Sequence, residues 1–281
     1  MLQLLQNSIG CTINGRALGR IAVVLFMLLL IPSPSSSQHQ SPASQILVEG
    51  EELIYNVRYG IFDLGQVRIK TTKKLNSSGS VAYQAIAYID SYKKVPFVKL
   101  NAVFESLIDS GVFSRFFVGK SRDGDYWNFG RYTYDYEKRL AYLESGSKDT
   151  LVEKRDTLSL DGSTQDGLSL FFYARDHLYS GKRHVIPAIV KEKKVFTTIQ
   201  FHGRSRAVEY DLIDYPVDAI GFEGTMEFTG IFGLTGDFEG WFSNDRARVP
   251  IVAKMKVILG SVTIELMQWK RDGWKPPKAK S

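Results

Sequence analysis

The sequence predicts an all-β protein with one helix, its antiparallel curved sheet forming a barrel or partly closed barrel and the helix packed on it or plugging it. Apolar and polar residues alternate with period two in many short runs, the mark of half-buried strands. Turn signals such as Asn76-Ser77-Ser78-Gly79, Asp109-Ser110-Gly111, Arg122-Asp123-Gly124-Asp125 and Asp161-Gly162 punctuate those runs, as in sandwiches and barrels. One segment, 163–178, changes to a helical period.

In chain order, Arg16 and Arg20 precede an apolar run, Ile21 to Ile31, and then Pro32-Ser33-Pro34-Ser35-Ser36-Ser37. Residues 1–37 read as a secretory signal peptide cut near Ser37, because the run falls well short of the ~20 residues a spanning helix needs. An uncleaved anchor is the alternative. Cys11, the one cysteine, would leave with the signal, so the mature chain would have neither a disulfide nor a thiol nucleophile. The formal charge would fall from +6 to +4.

Residues 38–46 read as a linker, 47–272 as a single β-rich domain, and 273–281 as a basic flexible tail. Leu53, Tyr55, Val57 and Tyr59 share one strand face, and Val67 and Ile69 alternate with Gln66, Arg68 and Lys70. Further alternation marks Val81 to Ile89, Leu100 to Ile108, Phe113 to Val118, Tyr132 to Leu143, Val195 to Phe201, Val208 to Leu212 and Thr225 to Thr229. In 163–178, Leu168, Phe171, Phe172, Arg175 and Leu178 fall at helical spacing, Ser163 and Asp166 fit a capping box, and Gly181 stands where the helix would end. Near the C-terminus, Gly260-Ser261 fits a type II′ hairpin turn, placing Leu259 opposite Val262, Val257 opposite Ile264, Met255 opposite Leu266 and Lys256 opposite Glu265.

Motifs for chemistry are sparse. His39, His177, His184 and His202 lack metal-site spacing, although a fold could bring His177 and His184 together. Gly203-Arg204-Ser205-Arg206-Ala207 misses the last glycine of a nucleophile elbow. The glycines of Gly230 to Gly236 have the wrong spacing for a phosphate loop, and no helix follows them. Paired acids such as Glu51 and Glu52 read as solvated strand edges, and the scattered basic residues argue against a nucleic-acid groove. No catalytic residue, metal or cofactor is expected.

Two groups remain as candidates. Trp241, Phe242, Asp245, Arg246 and Arg248 form either a working site or a folding corner, with an Asp245–Arg248 ion pair pinning the corner. Tyr59, Phe171, Phe172, Tyr173, Arg175 and Phe232 are candidates to face a ligand, given the 12% aromatic content.

Gly50-Glu51-Glu52-Leu53-x-Tyr55-x-Val57-x-Tyr59-Gly60, Leu64-Gly65, the Leu168 to Arg175 helix, Trp241-Phe242-Ser243-x-Asp245-x-x-Arg248-x-Pro250 and Gly260-Ser261-Val262-x-x-Glu265-Leu266 together carry a resemblance. On these blocks the chain resembles the bacterial exported proteins grouped as domain-of-unknown-function family 3108 (DUF3108). The resemblance implies a β-rich, Gram-negative envelope protein and brings no activity or catalytic residues. The family more usually has two acids before a basic pair, where this chain has Asn244 as the first and Arg246-Ala247 in exchanged order. The expected function is non-enzymatic binding of an envelope lipid, lipoprotein or glycan in the periplasm or at the outer envelope. A module contacting envelope proteins is the alternative, and an envelope-polymer enzyme a third reading.

Overall fold

In the computed structural model the structure describes residues 43–77, 80–93, 95, 99–148, 150–228, 235–256 and 260–280. A short helix α1 (Ala43–Ile46) leads into eight strands: β1 (Glu52–Tyr59), β2 (Phe62–Ser77), β3 (Ser80–Ser91), β4 (Asn101–Asp109), β5 (Ser114–Asp123), β6 (Tyr126–Asp135), β7 (Leu140–Ser147) and β8 (Leu151–Ser159). Helix α2 (Ser169–Asp176) and a 3-10 turn (Leu178–Ser180) follow. Then come β9 (Arg183–Val190), β10 (Lys193–Val208), β11 (Val217–Met226), β12 (Gly236–Ser243), β13 (Pro250–Lys256) and β14 (Ser261–Lys270).

All 14 strands lie in one antiparallel sheet, in the order β8-β7-β6-β5-β4-β3-β2-β1-β14-β13-β12-β11-β10-β9. Neighbours in that order are consecutive in the chain except for the β1–β14 pair, which joins Glu52 to Lys270 and Tyr59 to Val262; β8 and β9 lie at opposite ends of the order, with α2 in the connection between them. The sheet does not close, because β8 and β9 are its free edges. It curls far enough, however, for Ile189 of β9 to share a core with Phe117, Tyr132, Tyr134, Ala141 and Leu143 of β5 to β7. Gln165 bridges part of the gap: its N–H donates to the Pro187 carbonyl at 2.9 Å, and its carbonyl accepts from Ile189 N–H at 2.9 Å. This is a partly closed barrel with a helix packed on it, as the alternation predicts.

The core fills the concave side. Tyr55, Val57, Ile69, Ala85, Ile89, Ile251, Val262 and Leu266 pack with Ile46 of α1 and Phe172 of α2. Ala174 and Leu178 pack on Ile186, Ile199, Phe201, Ile220 and Phe222 of β9 to β11. Phe172 is fully buried, a contribution of about 1.5–3 kcal/mol by apolar burial. Among the described residues no helix is long and apolar enough to cross a membrane.

Several expectations need correction. The helix begins at Ser169, and its cap is Asp166 rather than Ser163: Asp166 Oδ1 accepts from Leu168 N–H at 2.7 Å and Ser169 N–H at 2.9 Å, while Ser169 Oγ accepts from Asp166 N–H at 2.8 Å. Gly181 does terminate this segment in the left-handed region (φ 61°). The run Tyr132 to Leu143 is two strands, β6 and β7, and of Val208 to Leu212 only Val208 is strand. Ala43–Ile46 is not loose linker, since Ile46 is buried in the core. Nor is the tail free: Asp218 N–H donates to the Pro277 carbonyl at 2.8 Å, and Ala279 N–H to the Pro216 carbonyl at 2.8 Å.

The last hairpin has a different register. Met255 pairs with Val262 and Lys256 with Ser261, four residues from the expected alignment. Glu265 therefore faces Val252, and its carboxylate meets Arg58 at 3.1 Å instead of Lys256. Met255 and Val262 are still both buried, because an even shift preserves the faces. Val257, Ile258 and Leu259 lie outside the described residues.

Candidate functional site: a buried polar corner

The turn between β12 and β13 is organised by one carboxylate. Asp245 Oδ1 accepts from Ala247 N–H (2.9 Å), Arg248 N–H (3.0 Å) and Ser243 Oγ (3.0 Å), and Oδ2 accepts from Trp274 Nε1 (2.7 Å). Ser243 Oγ in turn accepts from Val249 N–H at 2.8 Å. These bonds hold Arg248 in the left-handed region (φ 47°), a conformation uncommon for a residue with a Cβ. Asn244 extends the corner to β11, its backbone N–H donating to the Asp218 carbonyl and its Nδ2 to the Asp218 carboxylate, both at 2.9 Å.

The expected Asp245–Arg248 ion pair is absent; Asp245 holds the Arg248 backbone instead. The Arg248 guanidinium turns to the C-terminal end of α2, donating to the carbonyls of Arg175 (3.1 Å) and Asp176 (2.7 Å) and to Gln45 Oε1 (3.3 Å). A cation suits the negative end of a helix dipole. Burial lowers the Arg248 pKa, opposed by the Asp176 carboxylate, and the Tyr179 ring covers the guanidinium at 5.5 Å.

Arg175 reciprocates. It is fully buried, and its fork grips Glu51 at 2.7 and 3.0 Å while Nη2 and Nε donate to the carbonyls of Ala247 (2.8 Å) and Arg248 (3.2 Å). A bidentate Arg–carboxylate pair supplies directional, charge-assisted bonds. Glu51 is also paired with Arg271, whose other terminal nitrogen reaches the Gln45 carbonyl at 2.7 Å. One buried carboxylate between two guanidiniums thus joins α1, α2, the β12–β13 corner and the segment after β14. Glu51 is no solvated strand edge.

Of the candidate ligand-facing residues, Arg175 and Phe172 are fully buried among protein side chains. Phe171 packs edge-on against Tyr55 and Phe172, and Tyr173 hydrogen-bonds His184 Nδ1 at 2.9 Å. Tyr59 stands at the partly exposed end of β1, opposite Val262 of β14; Phe232 lies outside the described residues. Trp241 is buried on the other side of β12 from the corner's polar core, under the Arg206 guanidinium at 4.4 Å, and Phe242 belongs to the α2 core. Arg246 is exposed. The structure thus gathers Asp245, Arg248 and Arg175, and adds Glu51, Arg271, Gln45 and Trp274, which no local sequence pattern singles out.

His177 and His184 do meet, with ring centroids 4.9 Å apart. Both His184 nitrogens are engaged, by Tyr173 Oη and by Ser180 Oγ at 3.1 Å. Burial, then His177, lowers the His184 pKa. Among the described residues no group of three or more His, Cys, Asp or Glu side chains is placed to hold a metal ion. Among the clefts formed by described residues are one of about 130 Å³ beside Arg58 and Tyr210 and one of about 230 Å³ on β6 to β8. Both are smaller than the ~300–1,000 Å³ typical of small-molecule sites.

Fold and corner together define a partly closed, barrel-like all-β protein in which a buried polar assembly ties α1, α2, the β12–β13 corner and the segment after β14 together. The chain belongs to the family described as proteins of unknown function (DUF3108), whose model matches residues 54–267. A crystal structure of a β-barrel-like protein of domain of unknown function DUF1849 from Brucella abortus is similar, with TM-score 0.52 at 15% identity, covering 78% of this chain and 96% of that one. A protein with a YmcC-like fold from Bacteroides fragilis aligns with TM-score 0.34 at 8% identity, over 79% of this chain and 96% of that one. Comparison with curated proteins finds no match. The family match establishes the family and the DUF1849 structure supports the fold; neither indicates an enzymatic activity.

Proposed function

We infer that the protein is exported to the bacterial envelope and acts there as a non-enzymatic binding protein, holding a lipid, lipoprotein or glycan against its outer surface. One contrast carries this reading. The concave side is filled by side chains, whereas Ile61 and Phe62, 88% and 64% exposed, protrude from the β1–β2 turn, where polar residues ordinarily sit. The export half of the reading rests on the basic region and apolar run of residues 1–37.

A module for contacts with other envelope proteins is the second reading, since the same tip suits a protein groove. Strand addition is the less suitable route to such contacts: β8 carries Glu153, Lys154, Arg155 and Asp156, and β9 carries Pro187, so both free edges are blunted. A photo-reactive amino acid at position 61, with position 125 as control, tests both readings in cells. Lipid, lipoprotein or glycan adducts specific to position 61 support the first; a defined envelope protein without them supports the second. No adduct at position 61 above the control refutes both.

A further inference from the structure

On the outer face of β6, β7 and β8, six side chains form two rows three strands wide. Arg131 pairs across to Glu144 and Glu144 to Arg155; beside them Thr133 pairs to Tyr142 and Tyr142 to Thr157. All six line the cleft of about 230 Å³. The Tyr142 ring is 39% exposed between the two threonine hydroxyls.

In the charged row, Arg131 Nε donates to Glu144 Oε2 at 2.9 Å and Arg155 Nε to Glu144 Oε1 at 3.1 Å. A cross-strand ion pair requires one cation, and this row has two. The terminal nitrogens of Arg155 have no partner among the described residues, and its side chain is 73% exposed. The two arginines hold the Glu144 pKa below its ordinary value, Arg131 first, so the carboxylate stays charged and the row keeps a net positive charge; Asp156, which also lines the cleft, is paired with Lys154 at 3.5 Å.

We propose that this cleft binds one ring of an acidic glycan, a sugar carrying a carboxylate or phosphate, stacked on Tyr142 with its anionic group on Arg155. The apolar face of a pyranose matches an exposed aromatic ring, and its hydroxyls match the Thr133 and Thr157 hydroxyls and the Glu144 carboxylate. A guanidinium fork with free donors suits a carboxylate or phosphate. Position favours a polymer: β8 is the free edge of the sheet and exposed along most of its length, so the saccharide on either side of the bound ring runs off the protein without collision. The cleft is separate from the β1–β2 tip. The proposal rests on the reading of an envelope protein that binds at its surface and narrows the ligand at this place to an anionic saccharide.

The test is calorimetric titration of the purified protein with trigalacturonic acid, with cellotriose as the neutral probe. Tyr142→Thr and Arg155→Gln keep strand propensity at exposed positions, and urea unfolding checks that both remain folded. Trigalacturonic acid is expected to bind, the neutral probe to bind more weakly, and each variant to lose about tenfold or more in affinity for the acid, the scale of one charge-assisted hydrogen bond. Absence of binding at millimolar saccharide refutes the proposal, as does equal affinity for the neutral probe. Unchanged binding in both variants also refutes it, since general attraction to a basic protein would then suffice. Because the tip is probed by cross-linking at position 61, failure here is distinguishable from failure of the wider reading.

Discussion

Replacing Arg175 by methionine removes the cation from the centre of the clasp while retaining a long apolar side chain. Glu51, 3% exposed, would keep Arg271 but lose both bonds of the Arg175 fork, and the carbonyls of Ala247 and Arg248 would each lose a donor. Removing one partner of a buried pair costs about 3–5 kcal/mol, and each orphaned carbonyl adds about 1 kcal/mol or more. The surviving Arg271 contact offsets part of this, so a net loss of about 3–5 kcal/mol is expected. For a domain of ~5–15 kcal/mol total stability that is a large fraction. Trp269 and Trp274 lie beside the clasp, so urea unfolding followed by tryptophan fluorescence is a direct assay. With an m-value of ~2–3 kcal/mol/M the midpoint should fall by roughly 1–2 M. Arg175→Lys keeps the charge without the planar fork and should recover less than half of the loss. A midpoint shift below ~0.3 M for Arg175→Met, or full recovery by lysine, would refute the argument that a desolvated fork holds these elements together.

Asp245→Ala should cost about 2–4 kcal/mol, since it strips the acceptor from two backbone N–H groups, Ser243 Oγ and Trp274 Nε1; a loss under ~0.5 kcal/mol by urea unfolding would remove Asp245 as the organiser of the corner. Asp166 has the opposite pH signature from a salt-bridged acid: burial raises its pKa, opposed by the hydroxyls of Ser114 and Ser106 and the N–H groups of Ser169 and Leu168. The unfolded chain then releases this proton first, so its contribution to stability is fully present below the ordinary carboxylate pKa of ~3.9 and declines as pH rises toward the folded value. Asp166→Asn should lack that decline, and parallel stability–pH curves for the two proteins above pH ~4 would contradict the assignment.

The fold class was legible because period-two alternation needs no knowledge of partners. Strands β1 to β5 and β14 stand out for that reason, each with one face in the core. Strand β8 did not, since nearly all its residues are exposed and no face is selected for apolarity; β9 was concealed by Pro187, which only an edge position tolerates. The four-residue register error in the last hairpin has the same origin, because alternation is unchanged by an even slip. At the corner, the turn-forming run Ser243-Asn244-Asp245 was readable locally. Its long-range partners were not: Arg175 reaches Glu51 across 124 positions and Arg271 reaches it across 220. Nothing in the local pattern around Glu51 distinguishes it from its neighbour Glu52, which takes the solvent-side pairing with Lys70.

The pairing of β1 with β14 makes the first and last strands a seam between two meanders, β1 to β8 and β9 to β14, which the sheet connects nowhere else. A chain delivered N-terminus first must therefore wait for its last strand before β1 gains its second neighbour, leaving an unpaired hydrogen-bonding edge throughout delivery. Such long-range pairing is intrinsically slow. The same adjacency makes the molecule a natural subject for circular permutation: joining the ends across the seam and opening a hairpin elsewhere would turn the last-formed contact into a local one, and so change the order of assembly without changing the product.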